Sequence, residues 1–457
     1  MIKILQVRNI DSFVESRRQK TSEKDKKIVQ AILNDVRKNG DSAVKKYERK
    51  FNGRKTSQLR VSEDEIRQPK YVDREDYPKA IWRAYRFLSN QQAHWFAELT
   101  RATETYNQNN DIFFPEPNKV LPDISKLFVP IPSVGCYIPG GQARYPSSAV
   151  MSVSTARLAG VKRIVGVSPP GSDGKIDPLT IWVAKKLGAT EIYKVGGGQA
   201  IGALAYGTKS IPKVDKIVGP GGKFVSIAKS LVSDQTAIDM IAGPTELGIM
   251  ADTSSDPELV ALDLISQAEH SKDTMCFVIT KSKTMAKQIQ KSIEKLILGT
   301  ERSSIIKDSI SKNGFIAVCK NENEMIELAN KIAPEHMELM VKNAKLIQRR
   351  ITGAGLLLIG ENTPSSASDY LLGINHILPT NGFGRTRGGL SVLDFLKIQT
   401  VIESNKSALR EIIEDLKMLT DAEDLPNHFK AVAHRFLNQD GRISFGQRGD
   451  RQERRLD

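Results

Sequence analysis

Four short runs rich in β-branched residues alternate with helical stretches in the middle of the chain, and this alternation limits the possible folds more than any other feature. The runs span residues 134–138, 163–167, 191–195 and 215–218, and a helical pattern follows each of them. Strand-then-helix units of this kind build a parallel sheet with helices on its faces. The sequence therefore predicts a doubly wound, Rossmann-like α/β domain.

A second region of the same build follows the first. Its predicted strands span residues 247–250, 275–279, 315–318, 337–341 and 356–359, with helices between them. The first hundred or so residues, and the last 60, have helical patterns instead. We therefore expect two Rossmann-like doubly wound α/β domains, with helical segments at the amino and carboxyl ends.

Length and cysteine usage narrow the class of protein. At 457 residues the chain exceeds the size at which one hydrophobic core stops growing, so two or more domains are expected. No apolar run approaches the roughly 18 residues that a membrane span needs, and the amino terminus has no signal-peptide pattern. Three widely spaced cysteines, Cys136, Cys276 and Cys319, offer no metal-binding pair. These features predict a cytoplasmic protein, and we assign Cys136 no catalytic role.

The net charge of +14 raises the question of nucleic-acid binding. Residues 1–60 hold 17 Lys and Arg against 7 Asp and Glu, but these charges alternate with apolar residues at helical spacing, such as Val29, Ile32 and Val36. This pattern is typical of the solvated face of amphipathic helices, and no interleaved aromatic platform for stacking on bases accompanies it. The polar segment 447–455 is expected to be disordered. Nucleic-acid binding is therefore a remote alternative.

Three glycine-rich turns, at residues 139–142, 196–199 and 219–222, lie where strands of the first α/β region lead into helices. In open α/β sheets ligands bind at the carboxyl ends of strands, where helix N-termini can hold phosphate. The dinucleotide fingerprint GxGxxG is absent, because Ile201 stands at the position of the third glycine. On residue patterns alone, a nucleotide site and tight turns without a ligand suit these segments equally well.

The chain has only six histidines, and four of them lie near side chains that can share their chemistry. Histidine is the commonest metal ligand and titrates near neutral pH, so this arrangement suggests a catalytic metal site. A hydrogen-bonded structural role suits any one of them taken alone. The four are His270 near Gln267, His336 after Glu335, His376 in the segment that begins at Asp369, and His428 near Glu423.

The segment around His270 allows a local prediction. Asp256 is predicted to cap a helix that runs to His270, which places Gln267 and His270 on one face, three residues apart. Such a pair suits either a shared metal ion or a hydrogen-bond network at the end of the helix.

The segment around His336 allows another. Pro334 favours an extended backbone at Ala333, and a strand is predicted to follow. Adjacent side chains on a strand point to opposite faces, so Glu335 and His336 can serve one substrate only if the chain turns there. A carboxylate and an imidazole at the mouth of a strand could then share proton transfers.

Taken in order, the motifs resemble those of the histidinol dehydrogenase family over most of residues 25–430. The resemblance implies a zinc-dependent, NAD-linked dehydrogenase that oxidises L-histidinol through L-histidinaldehyde to L-histidine, in the last two steps of histidine biosynthesis. The matching segments are VGCYIPGG (134–141), VGGGQAI (195–201), IAGPTE (241–246), QAEH (267–270), APEH (333–336) and GINHILPT (373–380).

The resemblance also implies a role for each site residue. His336 would take the hydroxyl proton of the substrate, and Glu335 would activate the water that attacks the aldehyde. One Zn²⁺ ion per subunit would be bound by Gln267, His270, Asp369 and His428. L-Histidinol would contact the same four residues together with Thr245, His336, His376 and Glu423. NAD would contact Tyr137, Gln199 and Gly222.

The domain organisation expected from the resemblance has four parts. The family is a homodimer in which the helical tail crosses to the partner, so Glu423 and His428 would complete the active site of the other subunit. The parts are a helical arm (1–24), a discontinuous α/β domain with the zinc and catalytic residues (25–135 with 237–390), a second α/β domain on the NAD side (136–236), and a helical tail with a disordered end (391–457).

Three residues depart from the family's pattern. Gly222 stands where asparagine is usual, so the side chain for that NAD contact is missing. Thr245 replaces a serine but keeps the hydroxyl group, and Asp424 stands where glycine is common. The main alternative function is the oxidation of another amino alcohol or of a diol, including sulfonated ones. Glu423 argues against an anionic substrate, because its carboxylate would repel a sulfonate.

Overall fold

The computed structural model describes residues 1–17, 22–52, 58–67, 76–108, 123–140, 144–241 and 243–437. The chain forms two compact units, of which the first contains residues Met1–Trp95 and Pro130–Leu396 and the second residues Phe96–Val129 and Lys397–Asp457. The segment 447–455, for which disorder was predicted, lies outside the described residues.

The described part of the chain contains strands, α-helices and a few short helices of other types. The strands are β1 (Lys3–Gln6), β2 (Asp123–Pro130), β3 (Ser133–Tyr137), β4 (Arg163–Ser168), β5 (Glu191–Lys194), β6 (Lys216–Val218), β7 (Ala237–Ile238), β8 (Glu246–Ala251), β9 (Met275–Thr280), β10 (Phe315–Val318), β11 (His336–Met340), β12 (Leu356–Ile359) and β13 (Leu396–Glu403). The α-helices are α1 (Ile10–Arg17), α2 (Glu23–Asn39), α3 (Asp41–Asn52), α4 (Glu63–Arg67), α5 (Asp76–Gln108), α6 (Pro146–Ala149), α7 (Thr155–Leu158), α8 (Pro178–Leu187), α9 (Gly197–Tyr206), α10 (Lys223–Val232), α11 (Pro257–Ala268), α12 (Lys283–Ile297), α13 (Ser303–Lys312), α14 (Glu322–Ile332), α15 (Ala344–Ile347), α16 (Ser365–Ser368), α17 (Lys406–Ala422) and α18 (Pro426–Ala433). A π-helical turn (Val150–Ser154) joins α6 to α7, and 3-10 turns occur at Gln348–Arg350, Phe383–Arg385, Val392–Phe395 and His434–Phe436.

The first unit contains a five-stranded sheet in the order β5-β4-β3-β6-β7, with all strands parallel. The four strands predicted in this region are present, each within two residues of the predicted bounds. The chain winds outward from β3 in one direction and then from β6 in the other, so the switch point of the sheet lies between these two strands. The prediction of a doubly wound α/β fold is confirmed.

The same unit contains a six-stranded parallel sheet in the order β1-β10-β9-β8-β11-β12. All five strands predicted for the second region are present. Without β1, the strands follow one another in the same sequence order as those of the five-stranded sheet, with the switch point between β8 and β11. The two sheets therefore share one topology, as the similar pattern of the two regions suggested.

The amino-terminal region differs from its prediction in two ways. Residues 3–6 form strand β1, which pairs with β10, although residues 1–24 were expected to form a helical arm. Helix α2 buries Val29, Leu33 and Val36 against α9 of the five-stranded sheet, although residues 25–135 were expected to belong with residues 237–390. Both differences have one cause, since long-range pairing decides where a short apolar run or an amphipathic face packs.

The described part of the second unit contains the end of α5, the helices α17 and α18, and a two-stranded sheet of β2 and β13. Ile413, Ala433 and Phe436 form its small buried cluster. Strand β13 was missed, because the last 60 residues were expected to be helical. In the part of the chain that the structure describes, no helix combines the length and the apolar character that crossing a membrane requires.

A buried ion pair holds the turn that follows β6. Gly219 has φ +112°, and a Cβ atom there would lie 2.2 Å from the carbonyl oxygen of Tyr137, so only glycine fits. The carboxylate of Asp239 accepts the Gly219 N–H at 2.8 Å, and the ammonium of Lys229 donates to the Gly219 carbonyl at 3.0 Å. Lys229 and Asp239 also bond to each other and are both almost fully buried. The pair therefore bonds both the N–H and the carbonyl group of Gly219.

We expect Lys229→Met to lower the free energy of unfolding by about 3–5 kcal/mol, because it leaves the Asp239 carboxylate buried without its cation. Chemical denaturation measures the change. Lys312→Met is the control, since Lys312 pairs with Asp308 at an exposed site and its loss costs under about 1 kcal/mol. Equal effects of the two substitutions would contradict the stabilising role of the buried pair.

Candidate active site

The candidate site lies at the amino-terminal edge of the six-stranded sheet, where β8 and β11 are neighbours. The parallel register pairs His336 with Leu247, so Thr245 and Glu246 at the start of β8 meet Glu335 and His336 at the start of β11. Ligands in such sheets usually bind at the carboxyl edge. The glycine-rich turns lie at the carboxyl edge of the five-stranded sheet. The candidate active site therefore lies at the amino-terminal edge of one sheet, and the candidate nucleotide site at the carboxyl edge of the other.

The turn into β11 differs from its prediction. Ala333 was expected to be extended before Pro334, but it has φ +52° and ψ +61°, the left-handed conformation that ends α14. The Ala333 N–H bonds to the Ala329 carbonyl at 2.9 Å, and this helix-terminal bond outweighs the local bias of the proline. The chain therefore turns immediately before Glu335, which is the condition for Glu335 and His336 to face one site.

Glu335 is held by two donors. Its Oε2 atom accepts a bond from the Thr245 hydroxyl group and one from the Glu246 N–H at 3.0 Å. Burial raises the pKa of Glu335, and the nearby His336 and the two bonds only partly oppose this effect. A carboxyl group fixed in position with a raised pKa is suited to accept a proton from water.

The same bonds determine how the amide of Gln267 is oriented. Thr245 has one hydroxyl proton, which it donates to Glu335, so its oxygen accepts from the Gln267 Nε2 at 3.0 Å. The side-chain amide oxygen of Gln267 therefore points away from Thr245. Gln267 itself is buried at the last turn of α11.

His336 is buried, and its tautomer follows from its contacts. Its Nδ1 lies 3.2 Å from the Glu246 carbonyl, which can only accept, so Nδ1 carries the hydrogen. Nε2 lies 3.4 Å from Asp369 Oδ1 and has no well-aligned hydrogen-bond partner among the described residues. Burial lowers the pKa of His336, but the carboxylates of Glu335 and Asp369 outweigh it and raise this pKa to about 9. In the neutral ring, Nε2 is the basic atom.

Asp369 and His376 are joined across the intervening loop. The Asp369 carbonyl accepts a bond from His376 Nδ1 at 2.7 Å, and His376 Nε2 lies 3.5 Å from the Ser148 hydroxyl. Burial lowers the pKa of His376, more than the Asp369 carboxylate raises it. Burial would raise the pKa of Asp369, but the imidazole of His336 outweighs it and lowers this pKa. Asp369 is thus ionised beside a neutral His376.

The loop before His376 is anchored to the π-helical turn, a feature that sequence analysis missed. Asn375 is buried, and its side chain donates to the Met151 carbonyl at 3.0 Å. In a π-helical turn one carbonyl is released from the regular helical pattern and can accept such a bond. The short hydroxyl-rich run that includes Ser148 and Ser152 was the available signal.

The structure places His270 differently from its prediction. Helix α11 is capped by Asp256, as predicted, but it ends at Ala268, and His270 lies beyond the helix on the surface. The His270 N–H still bonds to the Gln267 carbonyl at 3.2 Å, so the two residues stay close. His270 also interacts electrostatically with Asp369.

The donor set in the first unit suits a zinc ion by its chemistry. Gln267 provides an amide oxygen, because its amide nitrogen bonds to Thr245. His270 provides an imidazole and Asp369 an ionised carboxylate. Zinc accepts oxygen and nitrogen ligands of these kinds. Among the described residues, no three His, Cys, Asp or Glu side chains are already close enough together to hold a metal ion.

Glu423 and His428 belong to the second unit. Glu423 is the C-cap residue of α17, His428 lies in α18, and both side chains are exposed. Between them, Asp424 has φ +55°, the left-handed conformation. Glycine adopts this conformation most easily and aspartate tolerates it, which accounts for the usual glycine at this position.

The three residues predicted to contact NAD lie at the carboxyl edge of the five-stranded sheet. Tyr137 is buried, its hydroxyl oxygen accepts the Gly197 N–H at 3.1 Å, and burial raises its pKa to about 12. Gln199 is buried in the first turn of α9. Gly222 caps α10, and a Cβ atom there would meet no heavy atom within 4 Å. The structure therefore has room at this position for a side chain such as the asparagine that is usual in the family.

Cys136 lies near this edge, but it is fully buried, and burial raises the pKa of its thiol to about 12. A thiol with so high a pKa is not a nucleophile at neutral pH. The expectation that Cys136 has no catalytic role therefore agrees with its surroundings.

The fold and this site define an α/β enzyme with a buried imidazole and carboxyl group placed for proton transfer. The family model of histidinol dehydrogenase matches residues 15–436. Histidinol dehydrogenase of Methanosarcina barkeri is 38% identical over 416 residues, which cover 90% of this chain and 92% of the relative. The enzyme of Bacillus cereus strain ATCC 10987 is 39% identical over 415 residues, again 90% and 92% of the two chains.

A solved structure agrees with these matches. The crystal structure of histidinol dehydrogenase from Elizabethkingia anophelis has a TM-score of 0.84 and 32% identity, and the match covers 95% of this chain and 98% of that one. The chain belongs to the histidinol dehydrogenase family, and it is therefore an oxidoreductase of amino-acid biosynthesis.

A second pair of carboxyl groups lies behind the site. Glu338 of β11 is fully buried, and its Oε1 accepts the N–H of Ser365 at 2.7 Å, at the start of the short helix α16 that leads into Asp369. Burial and the neighbouring Asp263 of α11 raise the pKa of Glu338 to about 8. Burial raises the pKa of Asp263 to about 6, although its bond with Glu338 opposes this shift. These shifts suit a carboxylic acid beside a carboxylate, and we infer that the two groups share a proton at neutral pH.

This shared proton makes the stability depend on pH. Both pKa values are higher in the folded chain than their ordinary values of 3.8 and 4.5, so the stabilisation is complete below about pH 4 and is lost as the pH rises toward 8. Asp263→Asn replaces the shared proton with an amide N–H donor. We expect its fall in Tm between pH 6 and pH 8 to be smaller than that of the unmodified protein, by about 2 °C or more.

Thermal unfolding followed by circular dichroism at both pH values measures the difference. Asp234→Asn is the control, because Asp234 is exposed and its change should leave the pH dependence as it is. An Asp263→Asn protein with the same pH dependence as the unmodified chain would rule out the shared proton.

Proposed function

We propose that this protein is an NAD-dependent dehydrogenase that oxidises L-histidinol through L-histidinaldehyde to L-histidine. Membership of the family over nearly the whole chain supports the substrate. The observation in the site that carries the proposal is the pairing of two proton-handling groups at the start of β11, where Glu335 Oε2 lies 4.0 Å from His336 Nδ1.

The reaction requires both groups. In the first step the alcohol gives a hydride to NAD⁺ and a proton to a base, which leaves the aldehyde. Water then adds to the aldehyde, and the hydrate gives a second hydride to another NAD⁺ and further protons to the solvent. One site must therefore accept a hydroxyl proton and also activate water, while the aldehyde stays bound.

His336 is the base for the alcohol in this scheme. Its Nδ1–H is occupied by the Glu246 carbonyl, so in the neutral ring, the form that predominates above its raised pKa of about 9, Nε2 is the atom that takes the hydroxyl proton as hydride leaves. Glu335 activates the water, because its fixed carboxylate with a raised pKa can hold the proton that water releases. Thr245, His376 and, from the other subunit, Glu423 contact the substrate, and the Glu423 carboxylate suits the ammonium group of histidinol.

We propose that Gln267, His270, Asp369 and His428 hold one zinc ion per subunit. When bound, the ion supplies ligand positions for the imidazole and amine nitrogens of histidinol and so fixes the carbinol carbon. The orientation of the Gln267 amide supports this assignment, since its oxygen is directed away from the Thr245 hydroxyl group.

The coenzyme is proposed to be NAD, bound at the carboxyl edge of the five-stranded sheet. Tyr137 and Gln199 provide side chains there, and Gly222 can contribute only its backbone. We further propose a cytoplasmic homodimer in which Glu423 and His428 complete the site of the other subunit, as in the family pattern. Their exposure in the isolated chain supports this arrangement.

We expect two NADH molecules to form for each histidinol consumed. The ratio is measured from the absorbance of NADH and from the remaining histidinol. Removal of zinc with a chelator should abolish both turnover and histidinol binding in calorimetry, while circular dichroism stays unchanged because none of the proposed zinc ligands lies in a strand of either parallel sheet. A ratio of one, or a chelated protein that binds histidinol normally, would overturn the scheme.

Glu335→Gln should separate the two halves of the reaction. An amide cannot take the proton of water, so oxidation of histidinaldehyde should slow by about 100-fold or more, whereas oxidation of the alcohol should slow much less. Single-turnover assays that start from histidinol or from histidinaldehyde measure each half. The control is Glu258→Gln, on the surface at the start of α11, and equal slowing of both halves by Glu335→Gln would refute this division of roles.

A further inference from the structure

Glu48 of α3 is a fully buried carboxylate that none of the roles above uses. It lies in the charged segment 45–50, whose pattern suggested a solvated helix face, yet its side chain points into the core against α9. Its Oε1 atom accepts the Gly196 N–H at 2.9 Å and the Gln199 Nε2 at 2.8 Å. A single carboxylate oxygen thus binds both the turn after β5 and the first turn of α9.

These bonds cap α9 from another helix. Gly196 is the N-cap residue of α9, and Glu48 accepts its N–H, as the glutamate of a capping box accepts the N–H of an N-cap residue. The next N–H, of Gly197, donates to the Tyr137 hydroxyl group. With a carboxylate and a phenol on these groups, two of the N–H donors that an ordinary dinucleotide-binding helix offers to a phosphate are already bonded within the protein.

The bond to Glu48 also determines which atom Gln199 offers to a ligand. A carboxylate only accepts hydrogen bonds, so the amide nitrogen of Gln199 faces Glu48 and the amide oxygen faces away. That oxygen is buried and has no donor among the described residues. It lies beside Gly197, where a Cβ atom would be 2.9 Å from it. An oriented, buried acceptor without a partner points to a ligand that supplies a donor.

We propose that Glu48 is a positioning residue of the coenzyme site, which holds the Gln199 amide so that its oxygen accepts a hydrogen bond from NAD. The ribose hydroxyl groups and the carboxamide of NAD are donors of the required kind. The proposal rests on the proposed NAD-dependent function and adds to it a residue that itself touches no coenzyme.

A matched residue on the same helix separates positioning from simple packing. Asp41, seven residues earlier on α3, accepts bonds from the N–H and the hydroxyl group of Ser210 at 3.2 and 2.6 Å. Ser210 follows the other end of α9. Asp41 therefore joins α3 to the neighbourhood of α9 by the same two kinds of bond as Glu48, but away from Gln199.

The experiment measures the Kd of NAD by calorimetry, and the KM values of NAD and histidinol, for the zinc-loaded full-length protein. We expect Gln199→Ala and Glu48→Ala each to raise the Kd of NAD by about 10-fold, with little change in the KM of histidinol. Asp41→Ala should lower Tm but leave the Kd of NAD within about 2-fold. Glu48→Gln keeps an acceptor oxygen, so its Kd should lie closer to that of the unmodified protein than to that of Glu48→Ala.

The double variant Glu48→Ala/Gln199→Ala provides the decisive comparison. If Glu48 acts through Gln199, the double variant binds NAD no more weakly than Gln199→Ala alone. Multiplied effects, an unchanged Kd in Glu48→Ala, or an equal loss in Asp41→Ala would each overturn the positioning role. An unmodified protein that does not bind NAD at all would instead overturn the proposed function.

Discussion

The parallel pairing of β8 with β11 is the constraint on which the candidate active site depends. Its register brings two short segments, separated by about 90 residues in the chain, to the same edge of one sheet. Backbone groups of β8 then orient the side chains of β11, since the Glu246 N–H binds Glu335 and the Glu246 carbonyl binds His336. A shift of one residue in this register would turn every side chain of β11 to the opposite face.

The same edge concentrates buried carboxyl groups, and each is accommodated differently. Glu335 has two donors, while Glu338 has one backbone donor and a pKa that burial and the nearby Asp263 raise. Burial and the nearby Glu335 raise the pKa of Glu246 to about 8, although two backbone N–H groups oppose this shift. Burying carboxyl groups is costly, and their concentration in one small region is typical of a functional site.

Much of the fold could be predicted because its strands are short, apolar and separated by helical patterns. Strands β10 and β12 begin and end at the predicted residues. The misses were of another kind. Strands β1 and β13 depend on partners distant in the sequence, and the conformation of Ala333 follows from the end of α14, not from the proline beside it.

The residues of the candidate site could be predicted from the sequence, but their arrangement in space could not. The motifs around His336 and His376 named the side chains, but the hydroxyl-rich run that includes Ser148 did not show that Asn375 would bind there. Glu48 was hidden by its neighbours, since a glutamate between lysines and arginines reads as solvent-exposed. Its burial depends on the packing of α3 against α9, which composition and periodicity do not reveal.

The three cysteines give the molecule an internal set of reporters. Each lies in a different hydrophobic core: Cys136 on one face of the five-stranded sheet, and Cys276 and Cys319 on opposite faces of the six-stranded sheet. Burial raises the pKa of all three thiols, so a reagent reacts with one only after the surrounding layer opens. The rate at which each thiol is alkylated therefore reports how often one layer opens, without any engineered probe in the chain.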